Sequence, residues 1–421
     1  GGFSAAVEMC NNNGACRKRD AAVMCPSFRA TAEEKHLTRG RANALRLALS
    51  GQLGPDALTS REMYEAMNLC VGCKACQREC PTGVDMTRMK VEFLYHYVKR
   101  HGISRRDKLV AYLPRYAPLV SRLRVLANLR DKVPGLPTLT RVLLGLSARR
   151  PLPIWHAAPF RGAAEQGVGE TGANGREVVL WVDTFNTYHE PENARAALRV
   201  LRAAGYTVHV PAPADGGRPV CCGRTFLSAG LVDEAKREAK RLIEALAPFV
   251  ERGVPIVGLE PSCVLSLCDE FPVMMDNAAL DAVAQNSFLF EEFLAAEDEE
   301  GRLELPLKEG GPAKALLHGH CHQKAHDIMG QVQSVLELVP GLEVEVIPSS
   351  CCGMAGAFGY QAETYDVSMK MGEASLLPAV RATDAATVIV ADGTSCRHQI
   401  RDGALRDAVH VARVLDRALA S

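Results

Sequence analysis

The chain has 421 residues, 47% hydrophobic and 23% charged, so it can bury a core and divide into two or three domains. Lysine and arginine total 49, as do aspartate and glutamate, which excludes the strong positive field of a nucleic-acid-binding protein. The sequence contains neither a long apolar run nor a secretory signal, which predicts a soluble, cytoplasmic protein.

Fifteen cysteines are many for such a protein, and their grouping decides between disulfides and metal. Disulfide frameworks are typical of small secreted chains with weak cores. This chain is long, and most of its thiols lie in short clusters. The cysteines therefore predict metal binding.

The first cysteine run, CNNNGACRKRDAAVMCP, contains Cys10, Cys16 and Cys25. Asn13 stands where a ferredoxin run would have its second cysteine, and the gap before Cys25 is longer than usual. This run alone lacks the four thiolates of a cubane cluster and needs a partner run.

The residues after this run predict two helices. In TAEEKHLTRGRANALRLALSGQLG, Thr31 is a candidate N-cap with a glutamate three residues later, and Gly51 can end the helix. A second helix begins after Ser60. Arg39 and Arg41 could offset the negative charge of a cluster, although solvent-exposed helix arginines are commoner.

The second run, CVGCKACQRECP, contains Cys70, Cys73, Cys76 and Cys80 with the spacing C-x2-C-x2-C-x3-C-P. That spacing holds a cubane cluster in bacterial ferredoxins. A structural zinc site is the alternative, but zinc knuckles usually come as two separated C-x2-C pairs. The run therefore predicts a 4Fe-4S cluster within a helical ferredoxin-like domain, residues 1–100.

The two runs predict a crossed pattern of ligands, since the fourth cysteine of each ferredoxin run binds the other cluster. One cluster then has a complete set: Cys25, Cys70, Cys73 and Cys76. The other has three thiolates: Cys10, Cys16 and Cys80. These suffice for a three-iron cluster, or for a four-iron cluster completed by Asn13 or water. The alternative is that this second cluster is absent and its cysteines are ordinary buried side chains.

Residues 101–176 form a basic connector. Between positions 99 and 150 the sequence has thirteen lysines and arginines against two acidic residues, interrupted by prolines. Short basic amphipathic helices of this kind bind a membrane surface or a partner; the alternative is an internal bracing element whose arginines face water. The Gly-rich stretch RGAAEQGVGETGANGR, 161 to 176, predicts a linker.

The rest of the chain contains an internal duplication around two Cys-Cys-Gly triplets. Each copy has an apolar strand (EVVLWVD, KALLHGH), a second strand before the triplet (YTVHVP, LEVEVIP) and a third after it (PIVGLEPSC, TVIVADGTSC). The intervening helices predict two α/β units with mostly parallel sheets, copy one over 177–310 and copy two over 311–421. Cysteines at the strand ends then converge where such sheets bind ligands.

The two copies differ in their candidate metal ligands. Copy two has four: Cys321, Cys351, Cys352 and Cys396. Copy one has three, which are further candidates or the remnant of a site: Cys221, Cys222 and Cys263. Thr184 stands at the position of Cys321, and Cys268 lies outside the shared pattern, which favours a structural role. Gly353 allows close approach of the backbone.

Four histidines surround Cys321 in HGHCHQKAH: His318, His320, His322 and His326. One of them could bind metal or relay protons, while two or more are ordinary loop residues. The glycines of GMAGAFG do not have the spacing of a nucleotide-binding fingerprint.

These motifs, together with TRGRANALR, GLEPSCVLSLCDE, SSCCGMAGAFGY and SCRHQI, resemble the C-terminal iron–sulfur half of bacterial FAD-linked oxidases of the D-2-hydroxyglutarate and D-lactate dehydrogenase type. The paired CCG segments are also similar to the iron–sulfur subunits of glycolate oxidase and anaerobic glycerol-3-phosphate dehydrogenase, and more distantly to a heterodisulfide reductase component. The resemblance is weakest from about 105 to 175. Thr184, Ser266 and Gln399 replace cysteines of the fullest CCG pattern, so a five-thiolate cluster is not expected.

The resemblance implies an electron-transfer module with one to three 4Fe-4S clusters. FAD on a separate domain or subunit would oxidise a 2-hydroxy acid, and the module would pass single electrons to a quinone or another acceptor, with a peripheral contact at the inner face of the membrane and no nucleic acid as partner. GGFSAAVEMC lacks an initiator methionine, so we expect the FAD domain upstream in the same polypeptide. The alternatives are a thiol or disulfide reductase acting at the CCG cluster and a zinc-bound scaffold.

Overall fold

The structure of the protein is a computed structural model that describes residues 2–19, 23–162, 165, 172 and 175–420. The predicted Gly-rich linker, 161 to 176, falls mostly outside these residues. The described residues form a helical N-terminal region, a helical connector and two α/β copies. This arrangement confirms the fold class predicted from the sequence.

The N-terminal region consists of short helices and loops, and its described residues up to 100 contain no strand. Its α-helices are Phe3–Glu8, Pro26–Thr31, Thr38–Leu49, Arg61–Asn68, Ala75–Glu79 and Met86–His101. The helix predicted from Thr31 begins instead at Thr38, because Glu34–His36 form a separate 3-10 turn. Ser60 caps the next helix as predicted, since its Oγ accepts a hydrogen bond from Met63 N–H at 3.1 Å.

The two copies contain the same four-stranded parallel sheet. The strands are β1 (Glu177–Trp181), β2 (Thr207–His209), β3 (Ile256–Gly258) and β4 (Ser287–Leu289) in copy one, and β5 (Lys314–Leu317), β6 (Glu343–Val346), β7 (Val388–Val390) and β8 (Ala408–Val409) in copy two. Their orders are β2-β1-β3-β4 and β6-β5-β7-β8, with every neighbour parallel. The shared order confirms the duplication, and it adds a fourth strand to each copy that the sequence analysis did not predict.

The two copies pack against each other reciprocally. Copy one contains the helices Thr184–Tyr188, Pro191–Ala203, Arg224–Ser228, Val232–Val250, Pro261–Cys268, Glu270–Met274, Ala278–Gln285 and Phe290–Glu299. Copy two contains Cys321–Ala325, Met329–Glu337, Tyr365–Glu373, Leu376–Ala382, Thr394–Ala404 and Val411–Ala418. Pro191–Ala203 packs against Val411–Ala418, and Phe290–Glu299 against Met329–Glu337. Because each contact joins an early helix of one copy to a late helix of the other, the pair is pseudo-symmetric.

The connector braces the α/β copies with one of its faces. Its helices are Arg105–Ala111, Leu113–Arg122, Arg124–Ala127 and Leu136–Leu144. Arg115 Nε donates to Glu238 at 2.9 Å, which ties the connector to copy one. Arg130 and Arg150 are buried rather than facing water, and Arg130 donates to Ser147 O at 2.6 Å. The bracing interpretation is therefore right for this face, but its solvent-facing arginines are wrong at these two positions.

The opposite face of the connector is apolar and basic. Seven of its aliphatic side chains are at least half exposed: Leu119, Leu123, Val125, Leu126, Leu139, Val142 and Leu143. Arg122, Lys132 and Arg141 have no acidic partner among the described residues. Nowhere in the described ranges is a helix both long and apolar enough to cross a bilayer. We call this surface the connector face.

Candidate functional site

Four cysteines line one small cavity in the N-terminal region: Cys25, Cys70, Cys73 and Cys76. All four are buried. Cys25 directly precedes the helix that begins at Pro26, and Cys76 follows Lys74, whose φ of 58° turns the chain into the next helix. The structure thus brings together the four thiols that the crossed ferredoxin pattern predicts as one set.

Cations lie next to these thiols. Arg41 is only 1% exposed, and its Nη1 lies 3.8 Å from Cys25 Sγ, so the expectation that this arginine faces solvent is wrong. Arg39, by contrast, stays partly exposed. Lys90 donates to the carbonyl oxygen of Cys70, and burial lowers the pKa of Lys90. Positive charge beside four thiols suits an anionic, thiolate-bound group.

The donor set fits a 4Fe-4S cluster better than zinc. Burial, followed by the neighbouring thiols, holds the pKa of Cys73 well above its usual value, so this thiol loses its proton when metal binds. A single zinc ion needs its ligands close together, since each Zn–S bond is about 2.3 Å. Within the described part of the chain, no three of the N-terminal thiols bring their sulfur atoms within 4.8 Å of one another. A cubane, with an iron at each of four corners, holds its thiolates farther apart.

The second N-terminal set is incomplete in the structure as in the sequence. Cys10 and Cys16 are buried, whereas Cys80 is half-buried. Burial raises the pKa of Cys80, but hydrogen bonds from Thr82 and then Asn13 outweigh it, so the pKa is lowered overall. The structure therefore brings Asn13, the residue in place of the missing cysteine, beside Cys80.

The copy-two cysteines are buried just beyond the carboxyl ends of three strands: Cys321, Cys351, Cys352 and Cys396. The sulfur atoms of Cys321 and Cys351 lie 4.0 Å apart. A ring nitrogen of His318 and the sulfur atoms of Cys352 and Cys396 all lie within 4.8 Å of one another. Gly353 has φ of 87°, and a Cβ there would lie 2.2 Å from Ser368 O, so the triplet requires this glycine.

A cation that the sequence analysis missed faces the copy-two thiols. Lys324 Nζ donates to Ser349 O at 2.6 Å, and its charge interacts with all four thiols. A hydrogen bond with Cys351, then the charges of His320 and Lys324, outweigh burial and lower the pKa of Cys321 to about 6. The signal was the lysine within HGHCHQKAH, three residues after Cys321 and one helical turn away.

The histidines of HGHCHQKAH have four different environments. His318 is buried beside Cys352, and burial lowers the pKa of His318 to about 4, so its imidazole is neutral. His320 caps the following helix, since its Nδ1 accepts from His322 N–H at 3.2 Å. His322 Nε2 lies 3.0 Å from Gly72 O, and His326 faces an acid of copy one. Only His318 combines with cysteines in a candidate metal group of the described residues.

Copy one keeps the backbone of the site but not its charges. Thr184 hydrogen-bonds with Cys221, in the place where Cys321 contacts Cys351 in copy two. A hydrogen bond with Cys222 lowers the pKa of Cys263, but burial, Asp183 and Glu260 raise it to about 12 overall. Burial likewise raises the pKa of Asp183 to about 6. An anionic cluster is disfavoured beside these carboxyl groups.

Cys268, predicted to be structural, is exposed and lies apart from these sites. Its thiol is within 3.4 Å of Ala284 O. No other cysteine contacts it among the described residues.

The second N-terminal cysteine loop, residues 70–76, docks at the junction of the two copies. His322 of copy two meets Gly72, and Lys74 Nζ lies 2.6 Å from Asp269 of copy one. Ser350, directly before the copy-two triplet, donates to the carbonyl oxygen of Val23 at 2.6 Å. The complete N-terminal set and the copy-two set therefore adjoin, which the sequence alone could not indicate.

A larger cavity, of about 550 Å³, lies beside the same loop. Residues 70–72 form one wall, and the helix Met86–His101 forms another. Tyr64 and Tyr97 line it as a stacked pair with ring centroids 4.7 Å apart. Its volume is in the range of small-molecule sites. We call it the loop cavity.

Two family descriptions match the chain. "4Fe-4S dicluster domain" matches residues 6–84, and "Cysteine-rich domain" matches residues 315–401. The chain is an iron–sulfur protein. The first match covers both N-terminal cysteine runs, and the second covers the copy-two cysteines.

Curated relatives are oxidoreductase components. D-2-hydroxyglutarate dehydrogenase of Escherichia coli (strain K12) is 26% identical over 93% of this chain and 42% of its own length. One of the subunits of anaerobic glycerol-3-phosphate dehydrogenase from the same organism is 27% identical over 80% of this chain and 81% of its own length, and the glycolate oxidase iron-sulfur subunit is 26% identical over 79% and 77%. The resemblance given by the motifs is confirmed. The chain spans about two fifths of the D-2-hydroxyglutarate dehydrogenases.

Proposed function

We propose that this iron–sulfur protein is an electron-transfer module that passes single electrons from FAD, on a separate domain or subunit, to a quinone or another acceptor. The observation that carries the proposal is the contact between loop 70–76 and copy two, where His322 meets Gly72. We assign the first site to Cys25, Cys70, Cys73 and Cys76, and the second to Cys321, Cys351, Cys352 and Cys396. Cys10, Cys16 and Cys80, with Asn13, are the candidates for a third.

When bound, a 4Fe-4S cluster supplies one-electron redox chemistry. The chain's own residues hold the thiolates in place, keep water away from them and set the local charge. Arg41 does this beside Cys25 and Lys324 beside the copy-two thiols. Because the two sets adjoin, no intervening domain separates the two sites.

The proposed substrate of the complete system is a D-2-hydroxy acid. Its oxidation to the keto acid releases two electrons and two protons, whereas a cluster takes one electron at a time. FAD takes both electrons as a hydride, with the hydroxyl proton going to a base beside the flavin. The names of the D-2-hydroxyglutarate dehydrogenases and of the glycolate oxidase subunit support this substrate class.

We propose that the loop cavity receives the acceptor ring and that the connector face contacts the cytoplasmic side of the membrane. The cavity adjoins Cys70 and carries the Tyr64–Tyr97 ring pair, which suits a flat, mostly apolar acceptor such as a quinone. The connector face combines exposed aliphatic side chains with basic residues, the composition of interfacial amphipathic helices.

The test is anaerobic mixing of the iron-loaded protein with D-2-hydroxyglutarate, first alone and then with the flavoprotein encoded upstream or alongside. We expect the iron–sulfur absorbance to bleach only in the second case. The Cys73→Ser variant, mixed in the same way, is the matched control. Bleaching without the flavoprotein would contradict the proposal and would favour an enzyme acting at the CCG site.

A further inference from the structure

His318 has a ring nitrogen that no described protein group satisfies. The side chain follows β5 and is 1% exposed. Its Nδ1 lies 2.8 Å from Ser349 Oγ, whereas its Nε2 is buried and has no hydrogen-bond partner among the described residues. A buried polar nitrogen without a partner carries a desolvation cost, so its surroundings call for a ligand.

The hydrogen bonds of Ser349 determine which nitrogen of His318 carries the proton. Lys324 Nζ donates to Ser349 Oγ at 3.1 Å, and the single hydroxyl proton of Ser349 points to Ile347 O at 3.4 Å. A serine hydroxyl has one proton and two lone pairs, so its second lone pair accepts from His318 Nδ1–H. Nε2 of the neutral ring is therefore a free lone pair, without a proton to donate to a thiolate.

This lone pair belongs to the cysteine group of copy two. A ring nitrogen of His318 and the sulfur atoms of Cys352 and Cys396 lie within 4.8 Å of one another. Since Ser349 occupies Nδ1, Nε2 is the nitrogen available to a metal. A histidine whose other nitrogen is fixed by a hydrogen bond is the usual form of a metal-bound imidazole.

We propose that His318 Nε2 is a direct metal ligand in copy two, next to Cys352 and Cys396, so that the site mixes imidazole and thiolate donors. This rests on the proposed function, because it requires that copy two binds an iron–sulfur group. Copy one has Trp181 at the matching position, and its indole N–H has no lone pair for a metal. Replacing a thiolate ligand by imidazole raises the reduction potential of a cluster, so His318 makes copy two the more oxidising of the two sites.

The test uses the whole chain, loaded anaerobically and labelled with nitrogen-15 histidine. Pulsed EPR of the reduced wild type should give a strong nitrogen coupling of the kind produced by a bound imidazole. His318→Gln should lose this coupling, and His318→Ala should regain it when imidazole is added. His318→Cys should keep the iron and lower the potential of the site. His326→Gln, in the same loop, should leave coupling and potential unchanged.

The outcomes separate this inference from the proposed function. Iron bound in copy two without strong nitrogen coupling, or with a coupling that persists in His318→Gln, would overturn the ligand assignment while leaving the electron-transfer proposal intact. Absence of iron from copy two in the wild type would overturn both. A strong coupling lost only in the His318 variants supports both.

Discussion

Copies one and two have the same sheet and the same glycine-containing triplet, but opposite charge around their cysteines. Gly223 and Gly353 both have positive φ, and in both a Cβ would collide with a neighbouring helix. Copy two surrounds its thiols with Lys324 and neutral His318, whereas copy one faces Asp183 and Glu260. The duplicated backbone is therefore not sufficient for a cluster site, and the side chains around it decide which copy can hold an anionic group.

Copy one has a different task, which is to anchor loop 70–76. Lys74 is 1% exposed and contacts Asp269 and Glu270 of copy one as well as Asp85. Arg224, next to the copy-one triplet, pairs with the same Glu270. The comparison thus assigns metal binding to copy two and docking of the N-terminal loop to copy one.

The largest effect should come from removing the N-terminal site, the reference against which both copies are compared. Cys73→Ser breaks the complete thiolate set, so the iron content should fall by about four per chain. Cluster binding is coupled to folding, and residues 2–100 should therefore become sensitive to proteolysis. Iron analysis and limited proteolysis measure both. Cys268→Ser is the control, and an unchanged iron count in Cys73→Ser would refute the assignment.

The docking role of copy one is tested by Lys74→Met. This change leaves buried carboxylates without their cation, which costs about 3–5 kcal/mol of unfolding free energy for a buried pair. Chemical denaturation of the loaded protein measures the loss. Arg61→Met removes an exposed ion pair with Glu65 and should change stability little. Similar stability of Lys74→Met and wild type would contradict a docking role for copy one.

A smaller effect tests the positive charge of copy two. Lys324→Met removes the cation beside the four thiols and should lower the reduction potential of that site. A change on the order of 1 kcal/mol corresponds to roughly 40 mV for a one-electron step. Lys324→Arg should keep the potential near that of the wild type. A redox titration followed by EPR is the measurement, and equal potentials in all three proteins would show that the charge has no role.

The smallest effect is expected from Thr184→Cys, which restores the missing thiol of copy one. Asp183 and Glu260 remain beside the restored set, and Thr187 stands where copy two has Lys324. We therefore expect the iron count to stay at the wild-type value. A gain of about four irons would show that the missing cysteine alone, and not the charge, disables copy one.

The sequence predicted the repeated parts of the molecule better than their assembly. Cysteine spacing and strand-helix alternation were sufficient for the four-thiol N-terminal set and for two parallel sheets. The strands β4 and β8 were missed because three and two residues carry no period. The burial of Arg41 and the contact of His322 with Gly72 were also missed, because both depend on segments distant in the chain.

The asymmetry between the two copies is tested most directly by iron and sulfide analysis of two matched variants, Cys352→Ala and Cys222→Ala. Each removes the second cysteine of a triplet, and both residues are buried to the same extent. We predict that Cys352→Ala loses the copy-two iron, while Cys222→Ala retains the iron and sulfide content of the wild type. Equal losses from the two variants would contradict the account and would show that both copies contribute ligands.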